Sequence, residues 1–133
     1  MDPQDRRALA RLRKDPAMGA LIARVVPPRF HEYSREDLLA NLLEAIVSQQ
    51  LSGKVAKVIY DRLKALGGKG FPTPRRLMKH TDAELKAVGL SRAKTASLRD
   101  LADAVLSGRL DLDALGGLPD GEVEAALVGV KGI

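Results

Sequence analysis

The 133-residue chain carries 22 Lys and Arg against 17 Asp and Glu, a net charge of +5, with 45% hydrophobic and 29% charged residues. Those values suit one folded domain and are too apolar for an intrinsically disordered chain. Cysteine is absent and the histidines are His31 and His80, which excludes disulfides, thiolate zinc sites and cysteine-held iron–sulfur clusters within this sequence, so no metal or cofactor is expected.

The opening Met1-Asp2-Pro3-Gln4-Asp5-Arg6-Arg7 lacks the apolar stretch of a signal peptide, and no apolar run approaches the roughly 20 residues of a membrane span. A soluble, intracellular protein with no membrane partner is expected. Asp2-Pro3 and Asp15-Pro16 each place a side-chain acceptor at N-cap and a proline at N1, which predicts two short helices before Pro27-Pro28 closes the region. Leu38, Leu39, Leu42, Leu43, Ile46 and Val47 then form a stripe at helical spacing, with Ser34 and Asp37 placed as a capping box whose second member is Asp rather than Glu. Another helix is predicted from about Gly53 to Leu66, with Val55, Val58, Ile59 and Leu63 inward and Lys54, Lys57, Asp61 and Lys64 outward; Gly67-Gly68-Lys69-Gly70 ends it.

Thr73-Pro74 starts a short helix as N-cap and N1, and Thr81 with Glu84 makes a full capping box for a second one stopping at Gly89. Ser91 caps a longer helix ending at Gly108, with Ala93, Ala96, Leu98, Leu101, Ala102 and Val105 on one side. A final helix is predicted from about Asp120 to Val128. No alternating strand pattern of useful length occurs. The expected class is therefore all-α with short connections, a single unit made of N-terminal helices and linker (1–33) and a helical core (34–133).

Charge is uneven along the chain. From Gly53 to Arg99, twelve basic residues face three acidic ones, a local excess of +9, whereas the last 34 residues stand near −5. A basic middle fits contact with a polyanion; solvated helix faces account for the same count. The final residues, Val128-Gly129-Val130-Lys131-Gly132-Ile133, read as a glycine hairpin following a helix. Such a turn presents backbone N–H groups that hold a phosphate without reading a base, although a C-terminal glycine cap followed by a frayed tail is the alternative. A hairpin of this kind normally feeds a second helix, so the chain is expected to be part of a longer one.

Four segments, taken in order, resemble the helix-hairpin-helix (HhH-GPD) DNA glycosylase superfamily, and within it the AlkA-type DNA-3-methyladenine glycosylases II. They are Ala45-Ile46-Val47-Ser48-Gln49-Gln50-Leu51-Ser52, Phe71-Pro72-Thr73-Pro74-Arg75-Arg76-Leu77, Val88-Gly89-Leu90-Ser91-Arg92-Ala93-Lys94, and Ala126 through Ile133, the last similar to the first half of the hairpin motif. The resemblance implies the N-terminal part of the glycosylase fold and a monofunctional enzyme of base-excision repair. Such an enzyme flips an alkylated purine of the 3-methyladenine type from duplex DNA and hydrolyses its N-glycosidic bond, without cofactor.

It further implies that Gln50 or Leu51 fills the vacated stack, and that Ser52, Gly53, Lys54, Arg92, Lys94, Gly129, Lys131, Gly132 and Ile133 contact the DNA backbone. Phe30 and Tyr33 are candidates for a pocket holding a cationic base, with ordinary core packing as the alternative. The family's catalytic aspartate lies past the hairpin, so no catalytic residue is expected in this chain, and residues 1–133 alone are expected to be inactive. Lys131 stands before Gly132, on the wrong side for a lyase lysine. The expected partner is double-stranded DNA carrying alkylated bases and the expected state a monomer. The expected location is the nucleoid-associated cytoplasm of a bacterium or otherwise a nucleus. The readings from other classes are a non-catalytic helical module that clamps DNA through the hairpin, and a helical protein-interaction domain.

Overall fold

The computed structural model describes residues 3–25 and 37–133. Its backbone divides into two compact units, residues 1–33 and 34–133. The first unit holds α1 (Pro3–Leu12) and α2 (Pro16–Arg24). As the sequence predicts, the Asp15 carboxylate caps α2 by accepting from Met18 N at 2.9 Å, with Pro16 in the first helical turn.

The second unit runs α3 (Leu38–Ser48), α4 (Gly53–Gly67), α5 (Pro74–Lys79), α6 (Asp82–Ala87), α7 (Arg92–Leu106), a 3-10 turn at Leu115–Gly117, and α8 (Asp120–Val128). Every described regular element is helical, as the periodicity requires. Thr73, Thr81 and Ser91 cap α5, α6 and α7 through their side chains, and Thr81 and Glu84 complete their reciprocal box. Capping of α3 differs from expectation: Asp37 itself is the N-cap, accepting from Ala40 N at 3.0 Å, and Ser34 lies outside the described residues.

α7 is the centre of this unit, packing against α3, α5 and α6, while α4 packs on α3. Leu43, Val47, Leu63, Leu85, Leu98 and Leu101 are fully buried, each worth on the order of 2 kcal/mol of transfer from water. α4 is rotated relative to the predicted inward face. Ala56, Ile59, Tyr60 and Leu63 are buried, whereas Val55 and Val58 remain 46% exposed. Small Ala56 allows close approach to α3, and Tyr60 reaches across it to donate to Ala40 O at 3.4 Å, so packing overrides the greater apolarity of the valines. On α7, likewise, Ala93 is exposed while Thr95, Ser97 and Ala104 are buried. Gly89, at φ +110 and with Ile59 against it, makes the sharp α6–α7 turn where a side chain would be strained.

Candidate nucleic-acid interface

The first corner lies between α3 and α4. α3 ends at Ser48, whose carbonyl accepts from Leu51 N at 3.1 Å, and the chain turns through Gln50 at φ +57. That left-handed conformation costs about 1–2 kcal/mol for a residue with a Cβ, and it carries both Gln50 and Leu51 outward. Leu51 is 37% exposed, so it is not a core residue. Ser52 is the N-cap of α4, its Oγ accepting from Val55 N at 3.4 Å. Among the described residues the N–H groups of Gly53 and Lys54 have no hydrogen-bond partner, and with the Lys54 ammonium they form an exposed donor cluster at the positive end of the α4 dipole.

The second corner is the turn after α8. Val130 is buried and seats the turn on the core, whereas Lys131, Gly132 and Ile133 are exposed. Gly129 has φ −64, a conformation open to any residue; Gly132 has φ +87, and a Cβ built on it would collide with Ser97 Oγ. Of the turn's N–H groups, Gly129, Val130 and Ile133 bond to Ala125, Leu127 and Val130 carbonyls. Lys131 N donates to Asp100 Oδ2 at 2.7 Å, and this leaves the Gly132 N–H without a partner among the described residues. The hairpin is therefore a smaller donor set than a bare glycine turn suggests.

The two corners meet. Gln49 Nε2 donates to Gly132 O at 2.7 Å across 83 residues of sequence, so the exposed Gln50 and Leu51 stand next to the exposed hairpin. Lys94 is half-buried on α7, and its ammonium donates to Val47 O at 2.6 Å and Gln49 O at 2.8 Å; burial lowers its pKa. Arg109 Nη1 donates to Gly129 O at 2.8 Å while its Nη2 bonds Asp100 Oδ1 at 2.7 Å. The Asp100 carboxyl is held below the usual carboxylate range, chiefly by the Lys131 N–H and secondarily by Arg109.

Arg92 is exposed in the first turn of α7, two residues before Lys94. Phe30 and Tyr33 lie outside the described residues. Asp111 turns back on the chain to accept from Asp113 N and Ala114 N, and Asp120 sits in the first turn of α8, so both fill local helix and turn roles. Among the described residues, no group of three or more His, Asp or Glu side chains could hold a metal ion, and no helix is long and apolar enough to cross a membrane. Sequence reasoning missed Gln49, Ser97, Asp100 and Arg109. Their partners are far along the chain, and only the basic residues opening α7 against its dipole hinted that this helix serves something beyond packing.

The family model for HhH-GPD superfamily base excision DNA repair proteins matches residues 43–130. The chain belongs to that family. This HhH-GPD chain is 34% identical over 94 residues, 69% of its length, to DNA-3-methyladenine glycosylase 1 of Schizosaccharomyces pombe, of which the match covers 41%. It is 33% identical over 106 residues, 74% of its length, to the DNA-3-methyladenine glycosylase of Saccharomyces cerevisiae, covering 36% of that protein. It thus spans about two-fifths of the length of these relatives. Among solved structures it is similar to the S. pombe 3-methyladenine DNA glycosylase in complex with abasic DNA, with TM-score 0.74, 28% identity, and coverage of 93% of this chain and 57% of that one. It is also similar to the DNA-3-methyladenine glycosidase of Bacillus halodurans, with TM-score 0.68, 37% identity, and coverage of 71% and 43%.

Proposed function

We propose that this chain is the DNA-gripping part of a monofunctional DNA-3-methyladenine glycosylase, which removes alkylated purines from duplex DNA in base-excision repair. One observation carries the reading. The exposed Gln50-Leu51 corner and the exposed hairpin are joined by the Gln49 Nε2 to Gly132 O bond, so both can engage the same stretch of duplex. The names of the relatives support the lesion class, and the abasic DNA held by the S. pombe structure supports DNA binding.

In this reading the chain supplies binding and distortion. Gly53 N–H, Lys54, Gly132 N–H and the Lys131 side chain hold phosphates, with Ser52 fixing the first turn of α4 and Arg92 adding charge beside it. Ile133 borders the clamp, and Gly129, tied through its carbonyl to Arg109, sets its base. Flipping a nucleotide costs a few kcal/mol of stacking and pairing, and insertion of Leu51 with Gln50 into the gap offsets that cost. A 3-methylated adenine is already cationic and leaves readily, so the enzyme needs to stabilise positive charge on the sugar more than to protonate the base. None of Asp111, Asp113 or Asp120 is assigned that role. The protein acts as a monomer wherever the DNA lies, the nucleoid-associated cytoplasm of a bacterium or a nucleus.

The test is release of 3-methyladenine from methylated duplex DNA by the intact protein. Release that falls with Leu51→Ala is the expected result. Tight duplex binding with no release would support a non-catalytic clamp, and no duplex binding even at low salt would support a protein-interaction domain.

A further inference from the structure

Lys94, Ser97 and Asp100 recur at every third residue along α7, and all three touch the interface from behind. Lys94 bonds two carbonyls, those of Val47 and Gln49, at the end of α3. Ser97 lies directly under Gly132, at the point that a Cβ there would occupy. Asp100 takes the Lys131 N–H on one oxygen and, on the other, Arg109, whose second Nη holds Gly129 O. Resting on the function proposed above, we propose that Lys94 and Asp100 are positioning residues that fix the register between the stack-filling loop and the phosphate-holding hairpin. α7 then acts as the rule that sets their spacing.

The chemistry fits each end. The last carbonyls of α3 are acceptors without intrahelical donors, and a cation is the favourable group there. Lys94 is half-buried with no carboxylate partner among the described residues, so its charge serves those carbonyls. Restraint of the carbonyls on either side of Ser48 holds the chain where it enters the left-handed Gln50. At the other end the exposed donor is a backbone amide, and a carboxylate is the group that holds it. Six residues of helix separate the two anchors by about 9 Å along the axis. One helix therefore carries both anchors and fixes the spacing between the loop and the hairpin.

The experiment uses the intact protein and a duplex in which 2-aminopurine flanks a tetrahydrofuran abasic analogue. The change in 2-aminopurine emission reports insertion into the stack, the slope of log affinity against log salt counts phosphate contacts, and thermal unfolding reports stability. Lys94→Met is expected to reduce the emission change about five-fold or more with the salt slope unaltered. Lys94→Arg, which can still donate to two carbonyls, restores it. Asp100→Ala is expected to weaken binding about ten-fold and lower the slope by about 0.9, one phosphate, while Asp100→Asn keeps an acceptor for Lys131 N and recovers most of the binding. On each readout the double variant Lys94→Met with Asp100→Ala should be no worse than the poorer single variant. Additive losses would overturn the proposal, as would a Lys94→Met slope lower by about 0.9 with emission intact, which makes Lys94 a phosphate ligand. Losses that merely track the melting temperature would overturn it too. Failure of the wild-type protein to bind or alter the emission would instead overturn the function on which it rests.

Discussion

The two corners of the interface are anchored by opposite charges. At the α3–α4 loop a lysine ammonium collects carbonyls, Val47 O and Gln49 O; at the hairpin a carboxylate collects an amide, Lys131 N. Lys94 neutralises carbonyls that would repel a phosphate, whereas Asp100 takes up an amide that could otherwise hold one, and the difference decides what remains in front. Among the described residues, the loop keeps both uncommitted N–H groups of Gly53 and Lys54, whereas the hairpin, having given one amide to Asp100, keeps that of Gly132. The helix start thus offers the larger set of open donors and the hairpin the smaller one.

The most disruptive way to break this comparison is at the hairpin. Gly132→Ala forces a side chain into φ +87 and onto Ser97, a backbone cost of about 1–2 kcal/mol before the collision is counted. Duplex affinity should fall about ten-fold or more in a titration, while Gly129→Ala, at φ −64, serves as the tolerated control. Leu51→Ala removes the exposed apolar surface proposed to enter the stack, worth about 1.5–3 kcal/mol, and should reduce the change in 2-aminopurine emission on lesion DNA while affinity for undamaged duplex stays unchanged.

Smaller effects sharpen the count of contacts. Lys54→Ala and Lys131→Ala should each flatten the salt slope by about 0.9, whereas Lys57→Ala should leave it unchanged, because Lys57 is paired with Asp61 at 2.6 Å. The smallest effect is pH-dependent. Asp100 has a folded-state pKa below its unfolded value, so its contribution to stability is full above the ordinary carboxylate value of about 4 and is lost as pH falls through the lower folded value. The difference in melting temperature between the wild type and Asp100→Asn should therefore shrink on acidification below about pH 4 and stay constant above it.

Local chemistry was legible where a residue acts on its near neighbours. Thr73-Pro74, the Thr81–Glu84 box, Ser91 and Asp15-Pro16 announce helix starts because a cap bonds an amide two or three residues away. The outward Gln50-Leu51 corner was legible through its family motif, not through any physical period. The rotation of α4 was not: Val55 and Val58 are the more apolar pair, and only contact with α3 favours Ala56 and Tyr60. Lys94 could be read as a cation near DNA, yet its carbonyl partners lie 47 and 45 residues away.

The amino-acid order by itself determined the all-helical class, most of the helix starts and the basic middle, since those depend on period, capping and composition within a few residues. Tertiary structure alone decided that the loop and the hairpin share one face, that Asp100 occupies the Lys131 amide and that α7 carries both anchors. Bonds spanning 31 to 83 residues depend on how helices pack, and packing is a property of the whole core rather than of any segment.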